Sequence, residues 1–317
     1  MGNDDQQPPS PPSTSRRKVL KCMAWAGGGL VWSLVGGVPR SLLLGDAQAA
    51  IPAGTFHFAQ ISDNHFGFNK DANPDVVSSA RECVTRINGL PNPPAFVLHT
   101  GDVTHLSKPE EFDLAHQVLG GLKAPVFYTP GEHDVLDATP GANYRKAFPQ
   151  KTMGDGWYSF DAGGAHFIAL INVLDFATSG LGALGSAQLE WLAADVKGLS
   201  ASTPIVVFTH IPMWSVYPQW GWGTGDAPQA FAILKRFGSI TVLNGHIHQV
   251  IQKVEGHVSF HTAMSTAYPQ PRPGEGPGPG PLKLPADRLR TALGVRAIDI
   301  VAGKGPLVVV NDPLAMS

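Results

Sequence analysis

With 317 residues, the chain is long enough for two domains of roughly 150 residues each, or for one large α/β sandwich. Its 23 basic and 25 acidic residues leave a net charge of −2, so it has no overall basic field of the kind non-specific nucleic-acid binding needs.

Residues 1–49 read as an export signal. Met1 to Ser13 is polar and rich in Pro, Ser and Gln, and it leads into Ser15-Arg16-Arg17-Lys18-Val19-Leu20-Lys21. An apolar stretch from Met23 to Val38 follows, and Ala47-Gln48-Ala49 supplies small residues where a signal peptidase reads. This order resembles a twin-arginine signal, with Val19 where an aromatic is commoner. It implies use of the twin-arginine export machinery and a periplasmic or secreted product. A membrane anchor fits less well, because about sixteen residues that include Gly27, Gly28, Gly29, Gly36 and Gly37 are short for a hydrocarbon core of ~30 Å. No stable anchor is expected after cleavage near Ala49. Cleavage removes five of the 23 basic and three of the 25 acidic residues, leaving 18 and 22, a net −4. Cys83 is then the only cysteine, so no internal disulfide can form, and it reads as a buried apolar side chain.

Residues 50–317 form the expected domain. From Thr55 to about Phe148 one unit recurs: an apolar strand, a polar turn motif, an amphipathic helix. Phe56 to Ile61 leads to Asp63-Asn64-His65 and a helix near Pro74 to Asn88. Phe96 to His99 leads to Gly101-Asp102-Val103-Thr104-His105 and a helix from Pro109 to about Leu119, and Val126 to Tyr128 leads to Gly131-Glu132-His133-Asp134. Strands alternating with helices imply parallel βαβ packing. Trp157 to Phe160, Gly163-Gly164 and His166 to Ile171 then read as a hairpin, which points to a second sheet. A helix carrying Leu189, Leu192 and Val196 precedes the strand that ends at His210, and a helix from Ala227 to Phe237 precedes the strand that ends at Asn244. Gly245-His246-Ile247-His248 follows directly. Val250 to Val254 and Val258 to His261 form another hairpin pattern, Pro269 to Pro281 is a Pro/Gly surface loop, and Val295 to Val301 and Leu307 to Val310 are closing strands.

Each motif alone is weak evidence. A histidine after a strand is more often a core or surface residue than a ligand, and Gly-Asp after a strand is usually a turn. Five motifs at five strand ends are hard to explain as turns, because parallel strands open their ligand site at their carboxyl ends. Two cations about 3.5 to 4 Å apart need side chains that bridge them and side chains that cap each outer face. Carboxylates and imidazoles suit iron, manganese and zinc, and the lack of a cysteine cluster argues against thiolate sites.

From Asp63 to His248 the series resembles the calcineurin-like metallophosphoesterase superfamily, whose pattern is Asp-x-His, Gly-Asp-x-x, Gly-Asn-His-Asp/Glu, a lone His after a strand, and Gly-His-x-His. The chain departs from it at Glu132, which replaces the asparagine. The resemblance implies a four-layer α/β/β/α sandwich with two mixed sheets and a metal site at the strand carboxyl ends. It also implies that Asp63, His65 and His248 hold one metal, that His210 and His246 hold the other together with Glu132, and that Asp102 bridges both. His133 would contact the substrate phosphate and protonate the leaving oxygen, oriented by Asp134, while a hydroxide bridging the metals attacks phosphorus in line. Purple acid phosphatases carry a tyrosine where this chain has His105, so the Asp-x-His phosphodiesterase branch fits better. Repair nucleases of the superfamily place a histidine there, near the phosphate. For His105, contact with substrate or with a ligand side chain stands beside a merely structural role.

Trp214, Tyr217, Trp220 and Trp222 crowd the loop after His210, and Trp222 is a candidate for stacking on an aromatic leaving group. The alternative is a rigid loop packed on the sheet edge. His57, His99, His116, His166 and His257 take structural roles, and His261 stays open. The expected function is an exported binuclear-metal phosphohydrolase acting on small phosphate monoesters or diesters, with iron or manganese favoured and zinc as the other choice. The competing reading is a metal-loaded binding or scaffold protein that lost turnover through Glu132.

Overall fold

The computed structural model describes residues 55–150, 152–176, 180–301 and 307–315, together with the backbone of 30–35 and 38–43. The expected signal segment lies outside the described residues except for that backbone, which forms two antiparallel strands, β1 (Leu30–Val35) and β2 (Val38–Leu43). Among the described residues no helix is long and apolar enough to cross a membrane.

Two large mixed sheets carry the rest. In chain order the strands are β3 (Thr55–Ile61), β4 (Val97–Thr100), β5 (Val126–Thr129), β6 (Tyr158–Ala162), β7 (Ala165–Ala169), the two-residue pair β8 (Asp175–Phe176) and β9 (Gly182–Ala183), β10 (Ile205–Phe208), β11 (Ile240–Asn244), β12 (Gln252–Glu255), β13 (Val258–Thr262), β14 (Gly294–Val301) and β15 (Val308–Pro313). The first sheet has the order β15-β14-β3-β4-β5 and the second β12-β13-β11-β10-β7-β6. Strands β3, β4 and β5 run parallel, as do β7, β10, β11 and β13, while β6, β12, β14 and β15 pair antiparallel.

Alternation along the strands builds the layers. Phe58, Leu98 and Ile298 from the first sheet meet Phe167, Val206, Phe208 and Leu243 from the second in one apolar interior. Their neighbours face outward: Ala59, Ile61 and Val97 pack under the helices Val76–Asn88 and Pro109–Leu119. Ile168, Val207 and Val242 pack under Ser186–Asp195 and Ala227–Leu234. Strands buried on both faces must be nearly continuously apolar, which is why they read so plainly in the sequence. The result is the expected α/β/β/α order. Helix Val76–Asn88 starts two residues later than Pro74 because the Asp75 carboxylate accepts the Ser78 N–H at 2.9 Å, and Cys83 lies buried on its inner face. The third strand–motif–helix unit is shorter than its two predecessors, ending in the six-residue helix Ala142–Ala147. The helix expected to run to Phe237 stops at Leu234.

Candidate metal centre

The five motifs converge at the carboxyl ends of β3, β4, β5, β10 and β11. The Asp63 N–H donates to Gly101 O and the His65 N–H to Asp102 O, each at 2.9 Å, so the first two turns interlock. The last motif closes on them: the Gly245 N–H donates to His210 O at 3.0 Å and the His246 N–H to Asp63 Oδ1 at 3.1 Å. Such close approach leaves no room for side chains at the glycines of these turns, Gly101, Gly131 and Gly245. A Cβ at Gly245 would collide with Ser62 Oγ, and one at Gly131 with Asp102 Oδ1. Strain is concentrated here as well. Asp63, His65, Asp102, His246 and His248 all hold positive φ, between 45° and 71°, and the only other described non-glycine residue that does is Ser107. Each such conformation costs on the order of 1–3 kcal/mol and persists only where its surroundings enforce it.

The side chains form two neighbouring clusters, each with its ligand atoms within 4.8 Å of one another: Asp63, His65, Asp102 and His248, and then Glu132, His210 and His246; two further groups of the same closeness take in His133, one with His65 and His105 and one with Asp102 and Glu132. Asp102 lies between them, with Oδ2 at 3.5 Å from His65 Nε2 and 3.4 Å from His210 Nε2. Glu132 turns inward: Oε2 is 2.9 Å from His210 Nε2, and Oε1 is 2.9 Å from His246 Nδ1. Asp63 Oδ2, Glu132 Oε2, His210 Nε2 and both His246 ring nitrogens are buried without a hydrogen-bond partner. Orphaned polar atoms that crowd one another without hydrogen-bond alignment fit ligands of shared cations, and the carboxylate–imidazole donor set suits iron, manganese or zinc. The outer ring nitrogens are fixed from behind, His210 Nδ1 on Thr100 O at 2.6 Å and His248 Nδ1 on Tyr268 O at 2.5 Å.

The carboxylates and imidazoles of the two clusters also act on one another's charge. Burial opposes ionisation of Glu132, but His246 and His210 outweigh it and hold the carboxyl well below its ordinary value. Burial likewise disfavours a charged His210, and Asp102 and Glu132 raise it well above its ordinary value. Cations bound here would take the place of those protons.

His133 lies beside the clusters. Its Nδ1 meets the His105 carbonyl at 2.7 Å, so Nδ1 is the donor, and its N–H donates to Asp102 Oδ1 at 2.9 Å. The His105 ring stacks on His133 at 4.9 Å and 14°, with Nδ1 at 3.4 Å from His65 Nδ1, so His105 borders both a cluster residue and His133. Asp134 does not orient the His133 ring as expected. Its carboxylate accepts the N–H groups of Gly131, Val103 and Thr104 at 2.7–3.0 Å and the Thr104 hydroxyl at 2.8 Å. These four donors, one from its own turn after β5 and three from the turn after β4, saturate it, so it ties the two turns together while the His105 carbonyl orients the ring. Burial and the neighbouring Asp102 raise its pKa to about 7.

Trp222 also departs from expectation. It is fully buried, so no substrate can stack on it. Gly221, at φ 73°, turns the chain back so that Tyr217 and Trp222 bridge, and the large indole gains more from burial than from exposure. His261 joins neither cluster, and burial lowers its pKa to about 3. Tyr268 went unnoticed in the sequence: its ring stacks on His65 at 4.9 Å, and its carbonyl holds His248. The signal that could have found it is its place after β13, the parallel neighbour of β11, the strand that delivers His246 and His248.

Residues 56–250 match the family model described as calcineurin-like phosphoesterase. The chain belongs to this family. Glycerophosphodiester phosphodiesterase GpdQ of Enterobacter lignolyticus is 30% identical over 167 residues, 49% of this chain and 56% of that protein, so the chain spans little more than half of that relative. A 3',5'-cyclic-nucleotide phosphodiesterase of Nostoc sp. is 26% identical over 220 residues, covering 66% of this chain and 78% of the relative. Among solved structures, a dimetal phosphatase from Danio rerio shares the fold with a TM-score of 0.56 at 13% identity, covering 82% of this chain and 99% of its own. Purple acid phosphatase PPD1 of yellow lupin does so at 0.59 and 13%, covering 82% and 52%. The sequence relatives favour the Asp-x-His phosphodiesterases of this calcineurin-like family over its purple acid phosphatases.

Proposed function

We propose that this calcineurin-like phosphoesterase is an exported, binuclear-metal hydrolase of small phosphate esters, with diesters as its first substrate class. The observation that carries the reading is Asp102 standing between two clusters of buried, orphaned ligand atoms, with His133 beside them. Asp63, His65 and His248 would hold one cation, His210, His246 and Glu132 the other, and Asp102 both. Two such cations supply Lewis acidity toward the phosphoryl oxygens and a water of lowered pKa as nucleophile.

The chain's own groups do the rest. His133 commits Nδ1–H to the His105 carbonyl, so Nε2 carries a proton only in the charged ring; burial opposes that charge, but Asp102 and Glu132 prevail and raise the pKa, and the imidazolium can donate Nε2–H to a phosphoryl oxygen or give that proton to the leaving oxygen. Asp134 keeps the loop that carries His133 rigid through its four accepted hydrogen bonds. A pure scaffold would have no need of a histidine poised with one free nitrogen, and this favours turnover over mere metal binding. The missing tyrosine at His105 and the names of the first relatives support diesters. Metal analysis of protein exported by its native host, followed by side-by-side assay of aryl phosphate monoesters, diesters and cyclic nucleotides, tests the proposal. Two bound cations with no turnover of any ester class would leave the scaffold reading standing.

A further inference from the structure

His99 belongs to none of the five motifs and to neither cluster, yet it is wholly buried three residues before Asp102. Its Nδ1 accepts the Gly101 N–H at 3.3 Å. A neutral imidazole that accepts at one nitrogen carries its proton on the other, so Nε2–H donates to Asn64 Oδ1. Asn64, also buried, is thereby fixed in orientation and passes its Nδ2 donor to Thr266 Oγ1 at 2.5 Å. Burial keeps His99 neutral, with its pKa lowered to about 3, and Tyr128 stacks on it at 5.6 Å. The same loop reaches the turn a second time, through Ser265 Oγ to Asp63 O at 2.8 Å. A chain of side chains therefore runs from β4 in the first sheet, through the turn that carries Asp63 and His65, to the segment after β13 in the second.

Asn64 is the centre of that turn. It stands between Asp63 at φ 56° and His65 at φ 45°, two backbone conformations that relax unless they are enforced. We infer that His99 and Asn64 are positioning residues, a buried donor–acceptor pair that holds Asp63 and His65 in the strained turn from which they reach one metal. The inference rests on the metal reading proposed above, and it concerns only the subsite completed by His248.

The test is titration of metal-stripped protein with manganese(II), read as stoichiometry and affinity, alongside the thermal midpoint of the metal-free form. The wild type should bind two equivalents. His99→Ala and Asn64→Ala should each weaken one of the two sites about 10- to 100-fold, the usual effect of removing a partner behind a ligand, and the double variant should weaken it no further. His99→Gln retains an amide donor for Asn64 and should recover part of the loss. Val97→Ala, a cavity in the same strand, should lower the thermal midpoint while leaving both affinities intact. If His99→Ala does not fold, Asn64→Ala and His99→Gln carry the same comparison. A wild type with two equivalents, and variants that keep both affinities or lose them only as Val97→Ala does, overturns the positioning role alone. A wild type with fewer than two equivalents overturns the metal reading and this role together.

Discussion

Arg296 and Gln60 meet in the interior between the two sheets, the guanidinium Nη1 donating to the amide Oε1 at 2.9 Å. The pair ties together both halves of the metal centre. Gln60 Nε2 reaches Thr100 Oγ1 at 3.0 Å and Asn244 O at 3.3 Å, each adjacent to a ligand-bearing turn, while Arg296 Nη2 crosses from β14 to Thr262 O of β13 at 2.6 Å. Arg296→Met should leave these acceptors buried and unpaired, costing about 1–3 kcal/mol each before relief of the buried charge. Urea unfolding should show a lower midpoint with unchanged slope, and the Gln60→Leu/Arg296→Met pair should cost less than the sum of the singles. Strict additivity would mean that the pair does not act as a unit.

His133→Ala should keep both metals and slow hydrolysis by roughly 10²- to 10⁴-fold, the span for losing a positioned proton donor. Esters with very acidic leaving groups should suffer least, because their leaving oxygen needs little protonation. Single-turnover rates across a series of aryl esters, with metal content measured on the same samples, read both effects. Loss of one metal equivalent would make His133 a ligand instead.

In the proposed ligand set Glu132 would raise the negative charge from two to three, since asparagine is neutral and Asp63 and Asp102 would supply the others. Two divalent cations with one hydroxide would then be neutral, whereas a ferric–divalent pair keeps a net positive charge toward a phosphate anion. An added carboxylate also favours a harder or higher-charged ion, so we expect iron or manganese in the native centre, and a shift toward zinc in Glu132→Asn without loss of the fold. Competition loading with iron, manganese and zinc measures this directly. Two zincs in the native protein, or unchanged selectivity in the variant, would sink the charge argument.

His166 gives a pH signature remote from the metals. Its Nδ1 lies 2.7 Å from Asp161 Oδ1 and its Nε2 2.9 Å from Asp195 Oδ2, so both nitrogens donate only when the ring is charged. Burial disfavours that charge, but the bonds to Asp195 and Asp161 prevail and raise the pKa above the ordinary 6.5. A raised folded-state pKa stabilises fully below the unfolded value and fades as pH rises through the folded one. The gap in thermal midpoint between wild type and His166→Asn should therefore be widest below about pH 6.5 and narrow at higher pH. A gap independent of pH would refute the charged state.

Export is read from the first segment alone. Changing Arg16 and Arg17 together to lysine should strand an uncleaved, metal-loaded precursor inside the cell, because twin-arginine routes generally carry folded proteins. Fractionation and immunoblotting decide it: mature protein still appearing outside removes the argument.

The convergence of the motifs from Asp63 to His248 on a candidate metal centre was legible because strand-then-turn patterning is local, and parallel strands must present such turns at one end of a sheet. The two mixed sheets were legible for the same reason, since strands buried on both faces are apolar along their whole length. What surrounds the ligands was not legible. Asn64 meets Thr266 across 202 positions, His99 meets Asn64 across 35, and Arg296 meets Gln60 across 236. Such contacts follow from sheet order and register, which no local pattern encodes. The same long-range packing turned Trp222 into the interior and gave the orienting of His133 to a backbone carbonyl, a group every residue carries and composition therefore cannot reveal.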